Sequence, residues 1–355
     1  MKQLAVFAVK QAKFTATVKL MYGDLSAIPP EHATDILVMS AFPGDYKALP
    51  GSLVLELQKK GLSVAKLAAD KEVDLLANLH CWLSKPLTFG QQEQFQFKKI
   101  LCFEPGASIK TPAEVVGDIF RCINSFVFDE ENNDIAMPMI GTGYQKVSIN
   151  TMLPALLDAC YFWLKNGLPL KTIQLVVHNQ KDVARALDIF NAFVKKLPTP
   201  ARENNINNDL ESAASPAPSP QPDRYDYFLS YAHVHASDVA HFVQLLKKKN
   251  ENLRIFYDKE SIPPGGQWIQ QISNAIQQSD KVLVFLSPDY DRSPVCWDEF
   301  QCAKLVEYNT NKPVIQTLYL YGHKETPLPL IMGIYSYLDC REGDLGKLEQ
   351  GVAQL

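Results

Sequence analysis

The chain has 355 residues, 46% of them hydrophobic, enough for two domains of ordinary size that each bury a core. A formal net charge of -4 gives no ground for a nucleic-acid partner, and the one basic run, Lys247-Lys248-Lys249, closes a predicted helix where cations suit the dipole. Seven scattered cysteines, without a CxxC or Cys/His cluster, point neither to a disulfide framework nor to a metal site.

No apolar run reaches the length of a membrane helix. The opening stretch as far as Val9 is too short for a signal peptide, and Lys10 and Lys13 break it without a small-residue cleavage site. It reads as a first strand of a protein kept in a reducing cytoplasm. Runs 4–9 and 15–20 are expected to form an antiparallel edge. Strands are expected at 35–39, 99–103, 134–140 and 172–177, with helical periodicity at 112–126, 148–164 and 183–195. This alternation indicates a three-layer α/β/α domain with a mixed, mostly parallel sheet, over residues 1–196.

The segment 197–223 is dominated by proline, serine, alanine and asparagine and retains almost nothing large and apolar, so a disordered spacer is expected there. Beyond it, 225–230 reads as a strand entering a polar loop at Tyr231 and His233. An amphipathic helix follows at 236–249, carrying Val239, Phe242, Val243 and Leu246 on one face. A strand at 253–257 leads into the proline- and glycine-bearing loop 258–266, and then come a helix at 268–278 and an apolar strand at 281–286. Strands at 313–320 and 336–339 complete five βα units over residues 224–355, the pattern of a flavodoxin-like parallel sheet of order 2-1-3-4-5.

After the 281–286 strand, Ser287-Pro288-Asp289 reads as a chain break, and the stretch 296–308 takes up helical spacing with Phe300, Ala303 and Leu305 facing inward. Glu299 then lies in the first turns of a helix beyond the carboxyl end of a strand, the edge where open α/β sheets bind ligands. The helix N-terminus favours its ionised form.

In the first domain the glycine-flanked turn Met137-Pro-Met-Ile-Gly-Thr-Gly-Tyr144 resembles the phosphate loop of macro domains, which bind ADP-ribose. Gly23-Asp24-Leu25-Ser26 and Asp35-Ile-Leu-Val-Met-Ser-Ala41 agree in position. The resemblance implies that Asp24 faces an adenine and that Gly141, Thr142, Gly143 and Tyr144 face a diphosphate and ribose; a purely structural turn is the alternative. Where hydrolytic members carry an Asn-Ala-Ala-Asn run this chain reads Met39-Ser-Ala-Phe42, so binding is implied rather than ADP-ribosyl hydrolysis.

Residues 225–355 resemble the TIR (Toll/interleukin-1 receptor) domain family, through Asp226-Tyr-Phe-Leu-Ser-Tyr231, Phe256-Tyr-Asp258, Leu286-Ser-Pro288 and Cys296-Trp-Asp-Glu-Phe300. Glu299 matches the glutamate of the members that cleave NAD+. The resemblance implies a catalytic role for Glu299 and an NAD+ cleft lined by Ser230, Tyr231, His233, Asp258, Glu260 and Trp297. Breaking the nicotinamide–ribose bond builds an oxocarbenium-like ribose that a carboxylate stabilises, and nicotinamide leaves as a neutral amide, so NAD+ is a substrate and neither metal nor further cofactor is needed. The expected products are nicotinamide with ADP-ribose or a cyclic isomer, in signalling or innate defence, with self-association through TIR contacts and the macro-like half sensing ADP-ribose-type ligands. The bland readings are Ser230 as a turn cap, Trp297 as core and Glu299 as a solvated helix residue. A rival reading is a non-enzymatic scaffold that recruits partners through its Ile262-Pro-Pro-Gly-Gly266 loop.

Overall fold

The computed structural model describes residues 1–105, 111–127, 133–140, 147–197, 224–257, 266–322, 328–341 and 344–355. The chain divides into two compact units, Met1–Glu203 and Asn204–Leu355. The expected spacer 197–223 lies, apart from Leu197, outside the described residues.

The first unit is built on eight strands: β1 (Lys2–Lys10), β2 (Thr15–Tyr22), β3 (Thr34–Ser40), β4 (Lys71–Leu75), β5 (Cys81–Ser84), β6 (Phe97–Phe103), β7 (Asp134–Pro138) and β8 (Thr172–Val177). Their order is β1-β2-β8-β7-β3-β6-β5-β4. The pairs from β2 through β8, β7 and β3 to β6 are parallel. The pairs β1–β2, β5–β6 and β4–β5 are antiparallel, so the parallel centre is closed on both flanks by antiparallel strands. The sheet is therefore mixed, as the sequence indicates. The β4–β5 flank goes beyond the sequence reading because Lys-Glu-Val-Asp-Leu and Cys-Trp-Leu-Ser are too short to show a period. Strand β7 stops at Pro138, short of residue 140, since proline has no N–H with which to extend the ladder.

Helices cover both faces of this sheet. On one face α1 (Leu53–Lys59), α2 (Val64–Ala69) and α3 (Phe89–Phe95) bury Val54, Leu57, Val64, Ala68 and Phe95 against Leu37, Met39, Trp82 and Ile100. On the other lie α4 (Pro112–Asn124), α5 (Ile149–Lys165) and α6 (Val183–Lys196). There Phe120 stacks on Trp163 at 6.5 Å and Phe7 meets Phe190 at 5.5 Å. Thr111 and Glu114 form a capping box at the start of α4, and Ser148 caps α5, which sets the first turn of α5 beside the end of β7.

The second unit has five parallel strands: β9 (Tyr225–Ser230), β10 (Ile255–Phe256), β11 (Ser279–Leu286), β12 (Ile315–Tyr319) and β13 (Tyr337–Asp339). Their order, β10-β9-β11-β12-β13, is the expected 2-1-3-4-5. Helix α7 (Ala236–Lys249) buries Val239, Phe242, Val243 and Leu246 on the face it shares with the last helix. Four more helices precede that last one: α8 (Gly266–Gln277), α9 (Pro288–Arg292), α10 (Pro294–Thr310) and a single turn at Leu330–Gly333. Residues 287–289 do more than break the chain. The Ser287 hydroxyl accepts the Tyr290 N–H at 3.1 Å and Pro288 opens α9. Phe300, Ala303 and Leu305 of α10 are buried as their spacing indicates.

The last helix, α11 (Leu345–Gln354), packs closely enough that a Cβ at Gly351 would lie 2.8 Å from the Cys340 sulfur. An alanine there gains about 1 kcal/mol in helix propensity but meets an overpacking cost of about 1–3 kcal/mol. Gly351→Ala should therefore lower the urea midpoint of this unit, and adding Cys340→Ala should recover part of the loss. A variant as stable as the parent would show that the helix moves away freely.

Candidate functional sites

The carboxyl ends of β2, β3, β7 and β8 open into a cleft of about 810 Å³, within the usual size of small-molecule sites. Asp24 forms one wall. Its Oδ1 accepts the Ser26 N–H and hydroxyl, both at 2.8 Å, and Lys60 Nζ stands 3.6 Å from Oδ2. Lys60 also donates to the Ser26 hydroxyl at 2.8 Å and carbonyl at 3.0 Å, tying α1 to this turn. Partial burial raises the Asp24 carboxyl, but the Ser26 hydrogen bonds and the charges of Lys60 and His178 outweigh it and hold the group below the ordinary carboxylate range. A fixed negative charge therefore stands on this wall at neutral pH.

The start of α5 also lines the cleft. Asn150 Oδ1 accepts from Arg185 Nε at 2.6 Å, so a guanidinium sits beside a helix N-terminus and both face the cleft. The turn of Gly141, Thr142, Gly143 and Tyr144 lies outside the described residues, between the cleft-lining residues Ile140 and Val147.

The rim between β3 and α1 is held by a residue that sequence reading missed. Glu104, directly after β6, is buried. It accepts the Gly44 N–H at 2.9 Å, the Trp82 indole N–H at 2.7 Å and the Tyr46 hydroxyl. Burial first, and then Glu104, push the Tyr46 hydroxyl upward, so it keeps its proton and remains a donor. Gly44 has φ of 64°, a left-handed turn suited to glycine, which delivers its amide to the carboxylate. No local pattern announces this contact, because its partners are 22 to 60 positions away.

In the second unit Ser230 ends β9 beside β11, and Glu299 is in the second turn of α10. Ser230 Oγ is hydrogen-bonded to Glu299 Oε2 at 2.6 Å. Tyr290 Oη of α9 lies 2.7 Å from Ser230 Oγ and 3.0 Å from the Cys296 carbonyl oxygen. Ser230, Tyr290 and Glu299 are all fully buried. Glu299 is thus not a solvated helix residue, and Ser230 does more than cap a turn.

The other expected residues diverge. Tyr231 is half-buried and donates to the Tyr257 carbonyl at 3.0 Å, while His233 is exposed. Trp297 is fully enclosed, its indole N–H on the Asp291 carbonyl at 2.7 Å and its ring edge-on to Phe300, so it joins α9 to α10 as core. Asp258 and Glu260 lie outside the described residues. At the same edge stands His235, unremarked in the sequence. It is buried, stacked on Tyr321 at 4.6 Å, with Nε2 3.4 Å from Asp289. Among the described residues no group of three or more potential metal ligands converges, and no helix is long and apolar enough to cross a membrane.

Residues 228–355 match the family model for the TIR domain. Among solved structures, the chain is similar to a macrodomain variant of Oceanobacillus iheyensis at 14% identity and a TM-score of 0.42, over 55% of this chain and 100% of that one. A Trypanosoma brucei macrodomain in complex with ADP-ribose matches at 14% identity and a TM-score of 0.32, over 48% of this chain and 67% of that one. The TIR domain of a Toll-related receptor from Hydra magnipapillata matches at 20% identity and a TM-score of 0.25, over 32% and 83%. No curated protein matches the chain.

Glu104→Gln tests the rim of the first cleft. The amide offers one acceptor atom where the carboxylate offers two, so one of its three donors loses its bond, at a cost of about 1–3 kcal/mol. Amide exchange at Gly44 should quicken and the near-ultraviolet signal of Trp82 should change. Unaltered exchange would show that the rim stands without this carboxylate.

Proposed function

We propose that the TIR domain of residues 228–355 cleaves the nicotinamide–ribose bond of NAD+, with Glu299 as the catalytic carboxylate. The observation that carries this reading is the Glu299 carboxyl on the Ser230 hydroxyl at the carboxyl edge of β9 and β11, in a domain that matches the TIR family. The C–N bond breaks with its electron pair going to nicotinamide, which leaves neutral, and the positive charge grows on the ribose. A carboxylate beside that ribose stabilises the transition state more than the ground state. Water completes the reaction to ADP-ribose with loss of a proton, or an adenine nitrogen of the same molecule closes a cyclic isomer.

The first unit is proposed to bind the ADP-ribose-type product. Its cleft is lined both by the anionic Asp24, suited to the amino group of a purine, and by Arg185 with the α5 N-terminus, suited to a diphosphate. The two activities then meet in one chain, with the first unit sensing or sequestering what the second makes. TIR-mediated self-association is part of the same proposal.

A second reading is favoured by one observation. Glu299 is fully enclosed, as a structural carboxyl would be, and a scaffold that only recruits partners would need nothing more.

Nicotinamide release from NAD+, followed at low and high protein concentration, separates the two. Glu299→Gln preserves shape and should reduce turnover by about 10²–10³, while losing only about 1 kcal/mol of stability through a weakened Ser230 contact. A parent protein that releases no nicotinamide at any concentration would leave the scaffold. For the first unit, calorimetry on the full chain should show ADP-ribose binding that Asp24→Ala weakens. Absence of binding at millimolar ligand would reduce that cleft to a structural feature.

A further inference from the structure

The row of oxygens that ends on Glu299 contains one more contact than it has hydrogens. Glu299 Oε2, Ser230 Oγ, Tyr290 Oη and the Cys296 carbonyl oxygen follow one another at 2.6, 2.7 and 3.0 Å. Serine and tyrosine bring one hydroxyl hydrogen each, and the carbonyl brings none. If the carboxyl is ionised, both ends of the row are pure acceptors and two hydrogens must serve three contacts. The Tyr290 hydrogen is then shared between Ser230 and the carbonyl. If the carboxyl holds a proton, every contact has its own hydrogen and the row runs one way: Glu299 to Ser230, Ser230 to Tyr290, Tyr290 to the Cys296 carbonyl. In a fully buried place an unserved short oxygen–oxygen contact is costly.

We propose that Tyr290 is a positioning residue for Glu299: by anchoring the row on the Cys296 carbonyl it makes the enclosed carboxyl hold a proton, which must leave before the group can stabilise positive charge. Burial, followed by Cys296 and Glu299, pushes the Tyr290 hydroxyl well above its usual range, so the tyrosine remains a donor throughout. Among the described residues, the buried titratable groups around this row are Asp291 of α9 and Cys296 of α10, which act on Tyr290, and Asp298 and Cys302 of α10 beside them. Any of these that ionises is an anion and opposes a second charge at Glu299, in the same direction as the hydrogen count.

Removing the tyrosine hydroxyl frees Ser230 to serve an ionised carboxyl at no loss, so Tyr290→Phe should lower the pH at which Glu299 ionises. Only the kinetic consequence rests on the NAD+-cleaving reading; the titration does not. The test is a pH titration of the full-length protein with its glutamate side chains labelled at the carboxyl carbon, the Glu299 signal assigned by its loss in Glu299→Gln. In the parent the midpoint should stand above the ordinary glutamate value of about 4.3, and in Tyr290→Phe it should move down. An infrared band of a protonated carboxyl, present in the parent near neutral pH and lost in Glu299→Gln, reads the same state without the tyrosine variant. Where NAD+ is cleaved, the acid limb of kcat should move to lower pH in Tyr290→Phe with KM little changed. A parent midpoint at or below the ordinary value, or an unmoved midpoint in Tyr290→Phe with its fold intact, overturns the proposal. Absence of nicotinamide release in the parent overturns the reaction and leaves the titration to decide this inference.

Discussion

A carboxyl group taken out of water has to be met by hydrogen-bond donors, and each unit of this chain is arranged around one such group. In the first unit Glu104 collects a backbone amide, an indole and a phenol from three separate segments. In the second, Glu299 is met by a strand serine that is itself held by Tyr290. These donors are neutral. Neutral donors place a carboxyl firmly and leave its charge to be set by burial and the groups around it.

Sheet topology puts these groups where they can act. In both units the parallel strands end at one edge, and the loops that leave that edge carry the cleft and the Glu299 row. Helix starts reinforce the pattern. Ser148 begins α5 at the first cleft, and Ser287 and Ser293 begin α9 and α10 in succession, which brings Tyr290 and Glu299 to the same strand end. The break between the two short caps is what lets one tyrosine reach both Ser230 and the Cys296 carbonyl. A single continuous helix through 288–300 would have turned the tyrosine elsewhere.

The two units also differ in how openly they present their chemistry. The first has a roomy cleft lined by both Asp24 and Arg185. The second shows its carboxyl fully enclosed, so any substrate must displace part of that enclosure to reach it. A proposed producer with a closed site and a proposed binder with an open one make a coherent pair.

Much of this was legible in the sequence, for a physical reason. Hydrophobic spacing is a local property, so 172–177 and 236–249 are read with the bounds the structure has, and the order of the second sheet follows from repeated βα units. The position of Glu299 near a helix start beyond a strand is local in the same sense. Burial of that carboxyl is not local, and neither is its company. Ser230 lies 69 positions from Glu299 and Tyr290 lies 60 from Ser230, and both distances close only when β9 and β11 pair. The hold of Glu104 on Gly44, Tyr46 and Trp82 likewise exists only once β3, β5 and β6 are side by side. The sequence by itself determined the longer strands and helices and which acid stands at the edge, but not short elements such as β4, β5 and α9, which span too few residues to show a period. Tertiary structure alone decided which acids lose water and which hydroxyls meet them, because hydrogen bonds across a sheet leave no period in the chain.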